Sequence, residues 1–262
     1  VSKKDIIAAC LALFILSGCV HGKLPEVKTP VTAPVPRDIL QKIARPVRGE
    51  TIRATARISQ SSPDGDYSRK VALVLRMPSS IRAEAIPFFG PADFFLSANE
   101  ESLKVFLPGE ATFYADTPTR ENIFLIFRVF LSPADMVPLL AGFPPPCTEE
   151  GSLSGFVEGE SYRIDITSGK SRRSLWIDLE ANTLIGAEEC EDGRTLWKAA
   201  FTNHAVVNGR SFPQRICLDV YGAGGRARMD IRYLDMDTAS AGDGELFDLP
   251  VPPGITPVPI GR

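Results

Sequence analysis

Hydrophobic and polar positions alternate along most of this chain. From Glu50 to Ser59, Ile52, Ala54, Ala56 and Ile58 face one way and Arg53, Thr55 and Arg57 the other, the period of a half-buried strand. The turn Pro63-Asp64-Gly65 returns the chain into Tyr67 to Arg76. Further strands are predicted at Ser80 to Ile86, Asp93 to Ala98, Ser102 to Leu107 and Ala111 to Ala115, a first meander of about six. A second occupies the C-terminal part: Tyr162 to Ile166, Leu175 to Leu179, Thr195 to Phe201, Phe212 to Val220 and Ala227 to Tyr233 alternate with polar partners. Ser168-Gly169, Asp192-Gly193, Asn208-Gly209 and Gly222-Ala223-Gly224-Gly225 mark its turns.

Between the meanders the period changes. Thr117-Pro118 suggests a helix start, and Ile123 to Leu131 is apolar almost all round, a buried helix or a buried strand by periodicity alone. The next four residues favour the helix, since Ser132-Pro133-Ala134-Asp135 supplies a hydroxyl cap, a first-position proline and a carboxylate in the first turn of another. This second helix runs to about Leu140, kinks at Pro138 and ends at Gly142 before Pro144-Pro145-Pro146. A third short helix is expected from Asp38 to Ala44, with Ile39, Leu40 and Ile43 on one side and Pro46 as its stop. A proline-rich tail, Leu249 to Gly254, closes the chain in extended form.

These elements imply a fold class that is mainly β (α+β), a curled antiparallel half-barrel of about 11 strands capped by about 3 short helices. About eleven strands at roughly 4.8 Å make a sheet some 50 Å wide, whereas three helices at about 10 Å each cover about 30 Å of it. The sheet must curl, and the space under the helices is either an apolar cavity or filled by side chains.

The first residues set the location. Lys3 and Lys4, the apolar run Ile6 to Leu16, and Leu16-Ser17-Gly18-Cys19 give a charged segment, a greasy segment too short to span a bilayer, and small residues before a cysteine. This order resembles a bacterial lipoprotein signal with its lipobox; an ordinary secretory signal is the bland alternative. The resemblance implies removal of residues 1–18, lipidation of Cys19 and a membrane anchor. Val20, where inner-membrane retention often uses Asp, favours a periplasm-facing anchor in the outer membrane over one in the inner membrane. Residues 19–37, with Pro25, Pro30, Pro34 and Pro36, then read as a lipidated cysteine and an extended tether, and 38–262 as one domain.

Composition removes other functions. The chain has 262 residues and a formal net charge of −3, which becomes −4 when Lys3, Lys4 and Asp5 leave, and no basic cluster recommends a nucleic-acid partner. Cys147, Cys190 and Cys217 allow at most one disulfide, in any of three pairings. With only His21 and His204, no metal centre, cofactor site or histidine-dependent nucleophile is expected. His204 reads as a surface residue near a turn, and Glu188, Glu189 and Glu191 as a solvated strand end. Gly151-Ser152-Leu153-Ser154-Gly155 puts leucine where G-x-S-x-G needs its nucleophile, and reads as a turn entering a strand, so the chain is not expected to be an enzyme.

The lipobox, the meanders, the segment Arg76-Met77-Pro78-Ser79-Ser80-Ile81-Arg82 leading to Ile86-Pro87-Phe88-Phe89-Gly90, and the late Leu249-Pro250-Val251-Pro252-Pro253-Gly254 together resemble the LolA/LolB superfamily of lipoprotein carriers and receptors, over essentially all of 38–260. The anchor makes LolB the nearer pattern. The resemblance implies a half-barrel that shelters acyl chains of lipoproteins or lipids, delivery to the outer membrane, and a LolA-like periplasmic carrier as partner. It also admits an envelope-stress sensor or scaffold on the same fold, without transfer. Phe124, Phe127 and Phe130 are the candidate cavity lining, with core packing as the alternative. Phe88 or Phe89, in the turn Pro87 to Pro91, matches the protruding apolar residue that pushes cargo into the membrane in LolB-like receptors; the alternative is that they fold back as core.

Overall fold

Two meanders meet in the middle of one sheet. The structure is a computed structural model that describes residues 34–43, 47–63, 65–146, 151–222, 225–239 and 244–261. Cys19, most of the expected tether, Pro46 and Cys147 lie outside the described residues. The first meander comprises β1 (Thr51–Ser62), β2 (Gly65–Arg76), β3 (Ser80–Ile86), β4 (Phe95–Ala98), β5 (Leu103–Leu107) and β6 (Thr112–Asp116). The second comprises β7 (Ser152–Glu158), β8 (Ser161–Ser168), β9 (Ser171–Asp178), β10 (Thr183–Glu191), β11 (Arg194–Val207), β12 (Arg210–Gly222) and β13 (Gly225–Ala239). Each strand pairs with its sequence neighbour within its meander, and β1 pairs with β13. Among the described residues this makes one antiparallel 13-stranded sheet with β6 and β7 at its edges.

The sheet curls without closing. A register shift between Thr55 and Ala56 strengthens the twist where the two halves join. Its inner face carries Ile52, Leu75, Ile164, Leu175, Trp197 and Phe212, all fully buried. Two of the expected turns are tight hairpins with positive φ at both central residues: Asp192 (49°) with Gly193 (75°), and Asn208 (49°) with Gly209 (81°). The edge at β6 is blunted by the tail: Val258 N donates to Phe113 O (2.8 Å) and Ala115 N to Val258 O (3.0 Å).

Three α-helices are present among the described residues: α1 (Pro36–Lys42), α2 (Arg120–Phe127) and α3 (Pro133–Leu140). α1 begins two residues before its expected start, because Pro36 with fixed φ suits a first helical position. α2 begins after Thr119 rather than at Thr117-Pro118; Thr119 Oγ1 accepts from Asn122 N at 3.1 Å. It also stops early. Arg128 turns left-handed (φ 57°), so only the first half of the apolar run Ile123 to Leu131 is helical. α3 starts at the expected cap, where Ser132 Oγ accepts from Asp135 N (3.2 Å).

Two strands, β7 and β10, add to those the alternation predicts. Gly155, in the G-S-L-S-G segment, sits inside β7. A Cβ there would lie 1.9 Å from Tyr162 Oη and 2.8 Å from Pro36 Cγ, so glycine lets α1 close over the β7 edge. The tyrosine hydroxyl bonds to Pro34 O.

Candidate functional site

The concave face of the sheet and the helices above it do not fill the space between them. A cavity of about 620 Å³ remains. Its floor is built by Val71, Leu73, Ile81, Ala83, Ala85, Leu96 and Val105 from the first meander, and by Ala199, Ile216, Leu218, Met229 and Ile231 from the second. Its roof is Leu125, Ile126 and Phe127 of α2, Val129 and Leu131 of the link, and Met136, Leu139 and Leu140 of α3. Small side chains at Ala83, Ala85 and Ala199 leave room that larger residues would occupy. Polar side chains are confined to a few lining residues: Tyr67, Arg69, Asp93, Glu110 and Tyr114. Arg69 Nη1 lies 2.8 Å from Asp93 Oδ2, with both side chains about half exposed (51% and 42%).

The sequence-nominated phenylalanines separate. Phe127 borders the cavity and packs edge to face on Phe94 (5.9 Å between centroids). Phe124 and Phe130 are not among the lining residues; they pair with each other at 6.2 Å, with Phe124 also set against Gly222. The early end of α2 takes Phe130 off the helical stripe that Phe124 and Phe127 share, because the chain turns left-handed at Arg128. Ile126, Val129, Leu131 and Met136, which sequence reasoning did not nominate, form the wall instead.

Phe88 and Phe89 lie on the loop between β3 and β4. They are 92% and 85% exposed, their rings in edge contact at 4.6 Å, and Gly90 (φ 86°) makes the turn after them. The same loop supplies Asp93 and Phe94 to the cavity, and Ala85 N donates to Phe94 O (3.0 Å) at its base. An exposed aromatic pair and part of the cavity lining therefore share one short segment.

The roof is fastened by buried charges. Arg173 Nη2 on β9 donates to Asp135 Oδ1 (3.0 Å) on α3 and to Glu189 Oε2 (2.6 Å) on β10, and Arg120 Nη2 on α2 donates to Asp135 Oδ2 (3.0 Å). Burial pushes the Asp135 carboxyl up, but the Arg173 charge, the Ser132 hydroxyl and Arg120 together bring it below the usual carboxylate value. Tyr233 on β13 donates to Leu140 O (2.6 Å), and its burial pushes the phenol up. Glu188 faces the other way, bonded to Lys198 (2.5 Å) and accepting from the Cys190 thiol (2.9 Å). Burial alone would raise Glu188, and these bonds lower it. Glu188 and Glu189 are thus buried and ion-paired, which corrects the expectation of a solvated strand end for these two, while Glu191 is exposed. Cys190 and Cys217 are both free thiols. His204 is half-buried on β11 rather than at the surface, and desolvation lowers its pKa.

Among the described residues there is no cluster of three or more histidine, cysteine, aspartate or glutamate residues that could hold a metal ion, and no helix long and apolar enough to cross a membrane. No protein-family model matches the chain, and no curated protein matches it. Solved structures do. A LolA superfamily protein from Nitrosomonas europaea is 15% identical, with a TM-score of 0.52, over 78% of this chain and 94% of that one. A candidate outer membrane lipoprotein-sorting protein domain from Vibrio parahaemolyticus is 11% identical (TM-score 0.56; 81% and 94%). A DUF1329 family protein from Desulfovibrio piger is 14% identical (TM-score 0.57; 81% and 97%). The open antiparallel half-barrel roofed by short helices around an apolar hollow is the LolA/LolB-like fold.

Proposed function

We propose that this protein is an envelope lipoprotein, anchored through Cys19 in the outer membrane and facing the periplasm, that holds acyl chains of lipoproteins or lipids in its cavity and delivers them to the membrane. The supporting observation is the pairing of an apolar cavity of about 620 Å³ with an almost fully exposed Phe88–Phe89 pair on the loop that forms part of its lining. An apolar hollow of that size is in the range of small-molecule sites. Burying a chain in it contributes roughly 0.8 kcal/mol per methylene. Two exposed phenylalanines gain free energy only where something apolar covers them, and a bilayer is the nearest such medium for an anchored protein.

The test is a liposome delivery assay with a fluorescent acyl cargo. The Phe88→Glu/Phe89→Glu variant is expected to fold and bind cargo as the parent does, yet lose delivery; full delivery would contradict the insertion role. A pull-down that returns a stable protein complex, with no delivery by the parent, would instead favour the sensor or scaffold reading. The anchor has its own test: Cys19→Ala should abolish lipid labelling, and normal labelling would contradict it.

A further inference from the structure

The volume of the cavity bounds what it can shelter. At roughly 30 Å³ per methylene-sized group, about the share one small molecule takes in a liquid, 620 Å³ holds on the order of 20 such groups. That matches one long acyl chain and falls short of two. The roof cannot easily lift to make more room. α2 and α3 are tied to β9 and β10 by Arg120, Arg173, Asp135 and Glu189, and Tyr233 holds the end of α3 through Leu140 O. The tail also bears on α2: Ile260 N donates to Asp116 Oδ2 (3.1 Å), and Gly261, whose Cβ would lie 2.9 Å from Leu125 Cδ1, packs on the helix. Lifting the helices would strip buried charges of their partners, a costly step.

The polar lining adds a second constraint. It carries one guanidinium, Arg69, two carboxylates, Asp93 and Glu110, and two phenols, Tyr67 and Tyr114. The Arg69–Asp93 pair is about half exposed, so a ligand anion can compete with Asp93 for Arg69, and a cation on the same ligand would then satisfy the freed carboxylate, whose Oδ1 is already buried without a partner. The carboxylates then favour a positive group on the same head. We propose, resting on the acyl-binding reading above, that the cavity takes one acyl chain and that its ligand is a single-chain lipid with a zwitterionic phosphate–ammonium head.

Native mass spectrometry of the full chain carrying Cys19→Ala tests this, with three probes: lysophosphatidylethanolamine with one 16-carbon chain, diacyl phosphatidylethanolamine, and palmitate. One lysolipid per protein is expected, at least tenfold tighter than the diacyl lipid and tighter than palmitate. Ala83→Leu and, from the opposite side of the cavity, Ala199→Leu should each move the preferred chain length down by about two or three carbons. Asp93→Asn with Glu110→Gln should remove the preference for the lysolipid over palmitate and keep the preference for one chain, whereas Arg69→Ala should weaken both anionic ligands. Diacyl lipid bound as tightly as lysolipid would overturn the one-chain capacity while leaving acyl binding intact. Equal binding of palmitate and lysolipid would overturn the zwitterionic head. Binding of none of the three would overturn the acyl-binding reading itself.

Discussion

Replacing Arg173 by methionine removes the centre of the buried charge cluster while keeping most of the side-chain volume. Its bonds among the described residues include those to Asp135 (3.0 Å), to Glu189 (2.6 and 3.3 Å) and to Pro146 O (2.9 Å), and all go with it. The carboxylates left behind are 8% and 7% exposed, and Arg120 reaches them at 3.0 and 3.8 Å from a side chain that is itself 32% exposed. Removing one member of a buried pair costs about 3–5 kcal/mol, and the remaining help from Arg120 places the expected loss near ~3 kcal/mol. That is a large part of a typical total of about 5–15 kcal/mol. Urea unfolding, followed through Trp176 and Trp197, reads it directly. The pH dependence identifies the cause. The Asp135 pKa is lowered in the folded protein, so its contribution is present above the ordinary carboxylate pKa and is lost as pH falls through the folded value. The gap between parent and variant should be widest near neutral pH and shrink as pH falls into that range. Adding Asp135→Asn and Glu189→Gln to Arg173→Met should recover much of the loss, because no buried carboxylate then stands alone and the remaining Arg120 is 32% exposed. A loss below about 1 kcal/mol, or a gap unchanged by pH, would refute the reasoning.

Phe127→Glu should abolish binding of an acyl probe, since it puts a carboxylate in the cavity wall beside Phe94; unaltered binding by the folded variant would reject a lining role. Phe124→Leu, by contrast, should leave probe binding nearly unchanged and act on thermal stability, because that ring packs on Phe130. Gly142→Ala should destabilise by about 3 kcal/mol in urea, because Gly142 has φ 76° and a Cβ there would sit 2.3 Å from Pro213 Cδ. The Phe88→Glu/Phe89→Glu change should move the urea midpoint by no more than about 0.5 kcal/mol equivalent, as expected of side chains that touch little but each other.

The first meander is legible almost strand by strand because β1 to β6 alternate cleanly and their turns carry proline, glycine or asparagine. β10 is hidden by its content. Gly186 interrupts the alternation, and Glu188 and Glu189 look like solvent-facing charges until Arg173, from β9, and Lys198, from β11, are brought beside them. Pairings of that kind depend on contacts between strands, so no local pattern announces them. The same limit explains the cavity wall. Ile123 to Leu131 reads from its composition as a largely buried run, but the left-handed turn at Arg128 decides which of its side chains meet the hollow. The turn that carries Phe88–Phe89 is visible from its prolines and glycine, but whether the rings project or fold back as core is settled only by the structure, where both are exposed. The pairing of Val258 on β6 carries no local signal, because a proline-rich tail can run over any edge.

The most direct test of the central claim is photocrosslinking with a palmitoyl probe that carries a photoreactive group at its chain end, followed by mass-spectrometric mapping of the labelled residues. Saturable labelling is expected at cavity residues, with Val105, Phe127, Leu139 and Ile231 among the labelled positions and loss of label in Phe127→Glu. Labelling confined to outward-facing apolar residues such as Val157, Val206 and Leu234, or labelling that never saturates, would contradict the claim that the half-barrel holds an acyl chain.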